Sequence, residues 1–112
     1  MKPRSLAIIG SFALAWLGHA GVVGAADDAA VEALMKKSHC FKCHALDKKK
    51  DGPSFQETAG KYRDKADAAQ KLFLHLTTTP TVTIDGKEEE HDALKTKNEA
   101  DVRHVVDWIL SR

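Results

Sequence analysis

The sequence predicts a small all-α protein with about four helices and, in the loop before the last helix, a small β-hairpin. Apolar residues recur in several segments at the three- and four-residue spacing of one helix face. One short segment alternates instead, and it ends in the Asp-Gly pair that is typical of tight hairpin turns. With 112 residues, 43% of them hydrophobic, the chain is long enough for a single small domain.

The first 26 residues have the features of a cleaved signal peptide. Lys2 and Arg4 precede an apolar stretch of twelve residues, Leu6 to Leu17, and Gly24-Ala25-Ala26 offers small residues for cleavage. The alternative is an anchor that stays in the membrane, but a spanning helix needs about 20 apolar residues. We therefore expect residues 27–112 to form one mature domain that is exported to the periplasm without stable membrane insertion.

The charge of the expected mature chain argues against one class of partner. Of the 17 basic side chains, two lie in the signal segment, which leaves 15 basic against 16 acidic side chains. Nucleic-acid binding calls for a strongly basic surface. We expect no nucleic-acid partner.

Three helices are well marked and a fourth is short. The first begins at Asp27-Asp28, whose negative charges favour a helix N-terminus, and runs into Cys40. A short helix follows Pro53, another covers about residues 66–76, and Asn98 caps the last. The apolar faces are Val31, Leu34 and Met35 in the first helix, Ala69, Leu72, Phe73 and Leu76 in the third, and Val102, Val105, Val106 and Ile109 in the last.

Residues 81–90 have the pattern of a hairpin. Thr81 to Ile84 alternate polar and apolar residues, Asp85-Gly86 supplies a two-residue turn, and Lys87 to Glu90 would return. The alternative is an irregular, solvated acidic loop. Both interpretations place acidic side chains on the surface.

The segment Cys40-Phe41-Lys42-Cys43-His44 is a C-x-x-C-H motif, the signature of covalent haem attachment. Two thiols three positions apart on one helical turn can each form a thioether to the same porphyrin. The adjacent imidazole of His44 is then held against the iron as the proximal ligand. The motif therefore predicts one covalent haem c, whose apolar surface would also help a small domain to fold.

Three other interpretations of Cys40 and Cys43 explain less. A thioredoxin-like pair belongs in a βαβ unit, and the sequence has no such pattern. A zinc site needs two further ligands at compact spacing, and the chain has only two cysteines. A structural disulfide would leave His44 without a role.

The chain resembles the small bacterial class I cytochromes c over its whole expected mature length. A helix enters the C-x-x-C-H motif, Gly52-Pro53 follow eight and nine residues after His44, and a final helix carries an aromatic residue, Trp108. The resemblance implies that the Pro53 carbonyl accepts a hydrogen bond from the His44 imidazole. It also implies that the first and last helices cross near Trp108.

The chain departs from this family at the distal iron ligand, which is usually a methionine in the loop before the last helix. No methionine follows Cys43. Imidazole is the natural neutral substitute for haem iron. His91 lies seventeen residues before Trp108, about where the resemblance places the methionine. We therefore predict His91 as the distal ligand.

Other outcomes for the distal position stay open. His75 flanks the apolar face of its helix and is a second candidate, although it also fits a half-buried polar residue. His39 is tied to the attachment side, and His104 lies opposite the apolar stripe of the last helix. An open or water-bound iron is the third outcome.

Two imidazole ligands would saturate the iron, so the sequence predicts an electron carrier and not an enzyme. A second imidazole favours a lower potential than a thioether would. The alternatives are a haem protein that binds gases or other small ligands at an open or displaceable distal site, and a haem subunit of a redox enzyme complex. We expect a monomer of low to moderate potential.

A lysine-rich face predicts how the protein meets its redox partners. Lys36, Lys37, Lys42 and Lys48–Lys50 surround the haem motif in sequence, and Glu88–Glu90 form an opposing acidic patch. A positive rim would steer transient encounter with an acidic partner and lose its effect as salt screens it. The alternative is that these are ordinary solubilising lysines.

Overall fold

The computed structural model describes residues 25–112, so nearly all of the predicted signal peptide, residues 1–26, lies outside the described part. Within the described range five helices and two strands follow one another. They are α1 (Ala25–Lys37), α2 (Cys40–Cys43), α3 (Phe55–Tyr62), α4 (Ala68–Thr77), β1 (Thr81–Ile84), β2 (Lys87–Glu90) and α5 (Glu99–Leu110). None of the helices described is long and apolar enough to cross a membrane. The predicted class, mostly helical with one hairpin, is confirmed.

Helix α5 is the centre of the packing. It contacts α1, α3 and α4, and its apolar stripe is buried against all three. The core consists of Val31, Met35, Phe55, Leu72, Leu76, Leu94, Val102, Val105, Val106, Trp108 and Ile109. Most of these residues belong to the predicted apolar faces, because a 3.6-residue period places them on one side of each helix. Met35 and Val105 are almost completely enclosed.

The first helix does not run into Cys40 as expected. It ends at Lys37, and His39 then adopts a left-handed conformation with φ 62°, so that α2 starts in a new direction. Ser38 between them is buried, and its hydroxyl accepts a hydrogen bond from the Lys95 amide at 2.9 Å. This contact joins the haem motif to the segment before α5.

The predicted hairpin is confirmed. Strands β1 and β2 are antiparallel, with Thr81 opposite Glu90 and Ile84 opposite Lys87. Asp85 and Gly86 have φ values of 50° and 77°, and a type I′ turn requires positive φ at both central residues. The His91 amide donates to the Pro80 carbonyl at 2.8 Å and closes the open end of the hairpin.

Side-chain caps fix the starts of α3 and α5. The Ser54 hydroxyl accepts from the Glu57 amide at 3.0 Å, and the Asn98 side chain accepts from the Ala100 amide at 3.0 Å. Each cap satisfies a backbone donor that has no partner within its helix. Both predicted helix starts are therefore confirmed.

Candidate functional site

Two half-buried thiols and one imidazole project from the single turn of α2. Cys40 and Cys43 begin and end this helix, and both are free cysteines. His44 has extended backbone, and its amide donates to the Cys40 carbonyl at 3.0 Å, which closes the turn. Burial raises the pKa of the Cys40 thiol, with a smaller contribution in the same direction from Cys43. The motif thus presents three reactive side chains within one turn.

The His44 ring is held from two sides by consecutive residues. Its Nδ1 atom lies 2.7 Å from the Pro53 carbonyl oxygen, as the resemblance implies. A carbonyl only accepts, so Nδ1 carries the hydrogen and Nε2 is left with a free lone pair. Gly52 packs against the ring, and its amide donates to the Cys43 carbonyl at 2.8 Å. This arrangement is typical of a ligating histidine whose second nitrogen is held by a backbone acceptor.

Phe55 joins this ring to the core, a role that the sequence interpretation missed. Its ring centroid lies 5.4 Å from that of His44, 5.2 Å from Trp108 and 5.9 Å from Phe41. The contacts with Trp108 and Phe41 are edge-on, the geometry that aromatic quadrupoles favour. The available signal was an aromatic residue directly after the capping Ser54. Trp108 is buried in the core and belongs to α5, the helix that packs against α1.

Three imidazoles from three separate segments converge in front of α2. The ring centroids of His44 and His91 are 6.1 Å apart, and those of His91 and His75 are 4.3 Å apart. Two imidazoles on opposite sides of one metal ion, each with a nitrogen about 2 Å from it, have centroids about 6 Å apart. The spacing of His44 and His91 fits such a pair, whereas that of His75 and His91 is too short. His39 and His104 are exposed and take no part.

The environment favours the neutral form of His75 and His91. Burial lowers the pKa of His75, and His91 and His44 lower it further. Burial also lowers the pKa of His91, as does His44, while the Asp92 backbone and carboxylate act in the opposite direction. The Asp92 backbone lies near this ring but does not reach hydrogen-bond geometry, so the buried Nδ1 of His91 has no hydrogen-bond partner. Both rings therefore offer a neutral nitrogen at pH 7.

Comparison with known proteins assigns the family. The cytochrome c family model matches residues 29–112, so the chain belongs to that family. Cytochrome c-552 of Nitrosomonas europaea is 30% identical to it, over 92% of this chain and 93% of the relative. Cytochrome c2 of Rubrivivax gelatinosus is 36% identical, over 69% of this chain and 91% of the relative.

Solved structures agree with this assignment and identify the class within the cytochrome c family. The crystal structure of the class 1 cytochrome MtoD from Sideroxydans lithotrophicus ES-1 is 46% identical, with a TM-score of 0.72 over 76% of this chain and 95% of that one. Wild-type Nitrosomonas europaea cytochrome c552 is 30% identical, with a TM-score of 0.56 over 71% and 96% of the two chains. The protein is a small class I cytochrome c with a covalently attached haem c, and its function is electron transfer.

Proposed function

We propose that the protein is an exported, monohaem electron carrier in which Cys40 and Cys43 attach the haem and His44 and His91 bind its iron. The observation that carries this proposal is the 6.1 Å spacing of the His44 and His91 rings. That spacing suits two nitrogens on opposite sides of one iron. No methionine follows Cys43 in the chain, so the usual thioether ligand has no source in the loop before α5.

The residues around His44 and His91 fit a haem bound against α2. Cys40 and Cys43 supply free, half-buried thiols one turn apart. The Pro53 carbonyl orients His44 and, by accepting its Nδ1 hydrogen, strengthens Nε2 as a donor. The haem supplies a one-electron couple when bound. The chain orients the haem, shields it partly from water and supplies the ligand atoms that set its potential.

Two imidazole ligands support an electron carrier over a catalyst. If His44 and His91 both bind the iron, they would leave no coordination site open for a substrate. A second imidazole stabilises ferrous iron less than a thioether does, which favours a low to moderate potential. Transient exchange of single electrons with partner proteins follows from this chemistry.

Export to the periplasm is proposed from the sequence of the first 26 residues alone. Lys2 and Arg4, the apolar stretch and the small residues before Asp27 support cleavage after Ala26. The N-terminal sequence of the protein isolated from a periplasmic fraction tests this proposal. An N-terminus at Asp27 is expected, and an intact Met1 in a membrane fraction would contradict it.

The proposed partner surface is the lysine face, defined as Lys36, Lys42 and Lys48–Lys50. All five side chains are exposed, and three of them follow α2 closely in the chain. Lys50 has an additional role, because its Nζ donates to the Phe41 carbonyl at 2.7 Å and ties the loop to α2. The proposed partner is an acidic redox protein, bound transiently by a monomer of this chain.

Spectroscopy of the oxidised protein tests the ligand pair. A low-spin, two-imidazole resonance spectrum without the near-infrared band of sulfur ligation is expected. His91→Met should introduce that band and raise the potential by part of the roughly 0.8 V span that axial ligands cover. His104→Met, at an exposed position of α5, is the matched control and should change neither property. A sulfur band in the unmodified protein would contradict the proposal.

A further inference from the structure

The imidazole ring of His75 lies beside that of His91. Its ring centroid is 4.3 Å from that of His91, with 54° between the ring planes. This distance is too short for two rings that hold one metal ion between them, so His75 cannot be the partner of His91 across the iron. His75 is instead a second, half-buried imidazole beside the proposed distal ligand.

The two distal histidines are held differently. His75 belongs to α4, whose neighbouring Leu72 and Leu76 are buried in the core, so its backbone position is fixed. His91 follows directly after the hairpin, and its amide bonds to the Pro80 carbonyl. The buried Nδ1 of His91 has no hydrogen-bond partner, in contrast to Nδ1 of His44. The His91 ring is therefore less firmly oriented than the proximal ring.

We infer that His75 is a reserve ligand, which binds the iron at the distal position when His91 is removed or withdrawn. The inference rests on the proposed His44–His91 pair and on the contact between the two distal rings. A nitrogen held within a side-chain rotation of a vacant position acts at a high effective concentration and outcompetes water.

A set of four variants of the full holoprotein tests the reserve ligand. They are His91→Ala, His75→Ala, the double variant and, as a control at an exposed histidine, His104→Ala. The readouts are the resonance spectrum of the oxidised protein and the rate of carbon monoxide binding to the reduced protein. His75→Ala and His104→Ala should keep the spectrum of the unmodified protein.

His91→Ala should stay low-spin with shifted g values, and the double variant should become high-spin. Carbon monoxide should bind the reduced double variant at least tenfold faster than it binds His91→Ala. Added imidazole should restore a low-spin spectrum to the double variant. Leucine variants at both positions repeat the series with the apolar volume retained, in case an alanine variant does not fold.

Two results would overturn the inference in different ways. High-spin iron in His91→Ala would show that His75 does not replace His91, and it would leave the proposed His44–His91 pair intact. A changed spectrum in His75→Ala together with an unchanged one in His91→Ala would make His75 the native ligand and would reject the proposed pair as well.

Discussion

Gly52 lies so close to the ring of His44 that a Cβ atom at residue 52 would be 2.5 Å from Cε1 and 2.8 Å from Nδ1. The same Nδ1 atom bonds to the Pro53 carbonyl oxygen at 2.7 Å. Two consecutive residues thus fix the imidazole, one by close packing and the other by a hydrogen bond. A side chain at residue 52 must displace the ring from that bond.

Gly52→Ala should therefore disturb the proximal histidine. The added methyl group should lower the free energy of unfolding by about 1–3 kcal/mol, the usual cost of overpacking. Loss of the bond to Pro53 would weaken His44 as a donor, so the reduction potential should rise. Urea unfolding and potentiometry measure the two effects.

Gly60→Ala is the matched control for this change. Gly60 lies within α3, and a Cβ atom there would have no neighbour within 4 Å. Alanine is the better helix former, so the free energy of unfolding should rise by up to about 1 kcal/mol, with the potential unchanged. Equal effects of the two substitutions would contradict the packing role of Gly52.

Removal of the two thiols tests haem attachment. The unmodified protein should keep its haem through acid–acetone extraction, because thioether bonds survive that treatment. Cys40→Ala/Cys43→Ala should be haem-free and largely unfolded by circular dichroism, since the small core loses a large apolar surface. His39→Asn, at an exposed neighbour of the motif whose left-handed backbone asparagine tolerates, should behave as the unmodified protein does. A well-folded, haem-free double variant would reject the structural role of the cofactor.

At one position of the hairpin turn, Gly86, a side chain is disfavoured by the backbone conformation and not by contacts with neighbouring atoms. Gly86 has φ 77°, and a Cβ atom there would meet nothing within 4 Å. Gly86→Ala should lower the free energy of unfolding by about 1–2 kcal/mol, the cost of a left-handed conformation for a residue with a side chain. Asp85→Asn, at φ 50°, should be nearly neutral because asparagine tolerates this conformation. Thermal unfolding of both variants separates the two expectations.

Charge reversal tests the lysine face. Lys48→Glu/Lys49→Glu should slow electron transfer to an acidic redox protein at low ionic strength, and the difference should shrink as salt is added. Lys50 is left in place because it bonds to Phe41. Lys61→Glu/Lys65→Glu makes the same change of net charge outside the lysine face and is the control. If the two double variants slow electron transfer equally in stopped-flow measurements, the effect comes from net charge and the docking role of the lysine face is rejected.

The parts of the fold that depend on local chemistry were predictable from the sequence. The turn at Asp85-Gly86, the cap at Asn98 and the apolar stripe of α5 each need only residues a few positions apart, and all three are confirmed. The break before Cys40 was not predictable, since a left-handed conformation is uncommon for any residue other than glycine, and His39 adopts one. Ser38 is held there by Lys95, a contact that no local pattern reveals.

The candidate site was predictable to a similar degree. The motif specified Cys40, Cys43 and His44, and family resemblance implied the Pro53 contact that the structure contains. The sequence left His75 undecided between core residue and ligand, because helical spacing places it at the edge of the apolar face. Its contact with His91 depends on how α4 meets the hairpin, which is a tertiary relationship. The assignment of His91 to the iron stays a prediction.

The bond between the Ser38 hydroxyl and the Lys95 amide spans 57 residues of chain. The contact between His44 and Pro53 spans only nine. The part of the site around His44 can therefore form from one short segment. The part around His91 forms only when a long loop closes, which is the slower and entropically costlier event. The part around His91 should accordingly be the first to open in the native protein, and amide exchange near His91 should be faster than exchange in α3 and α5.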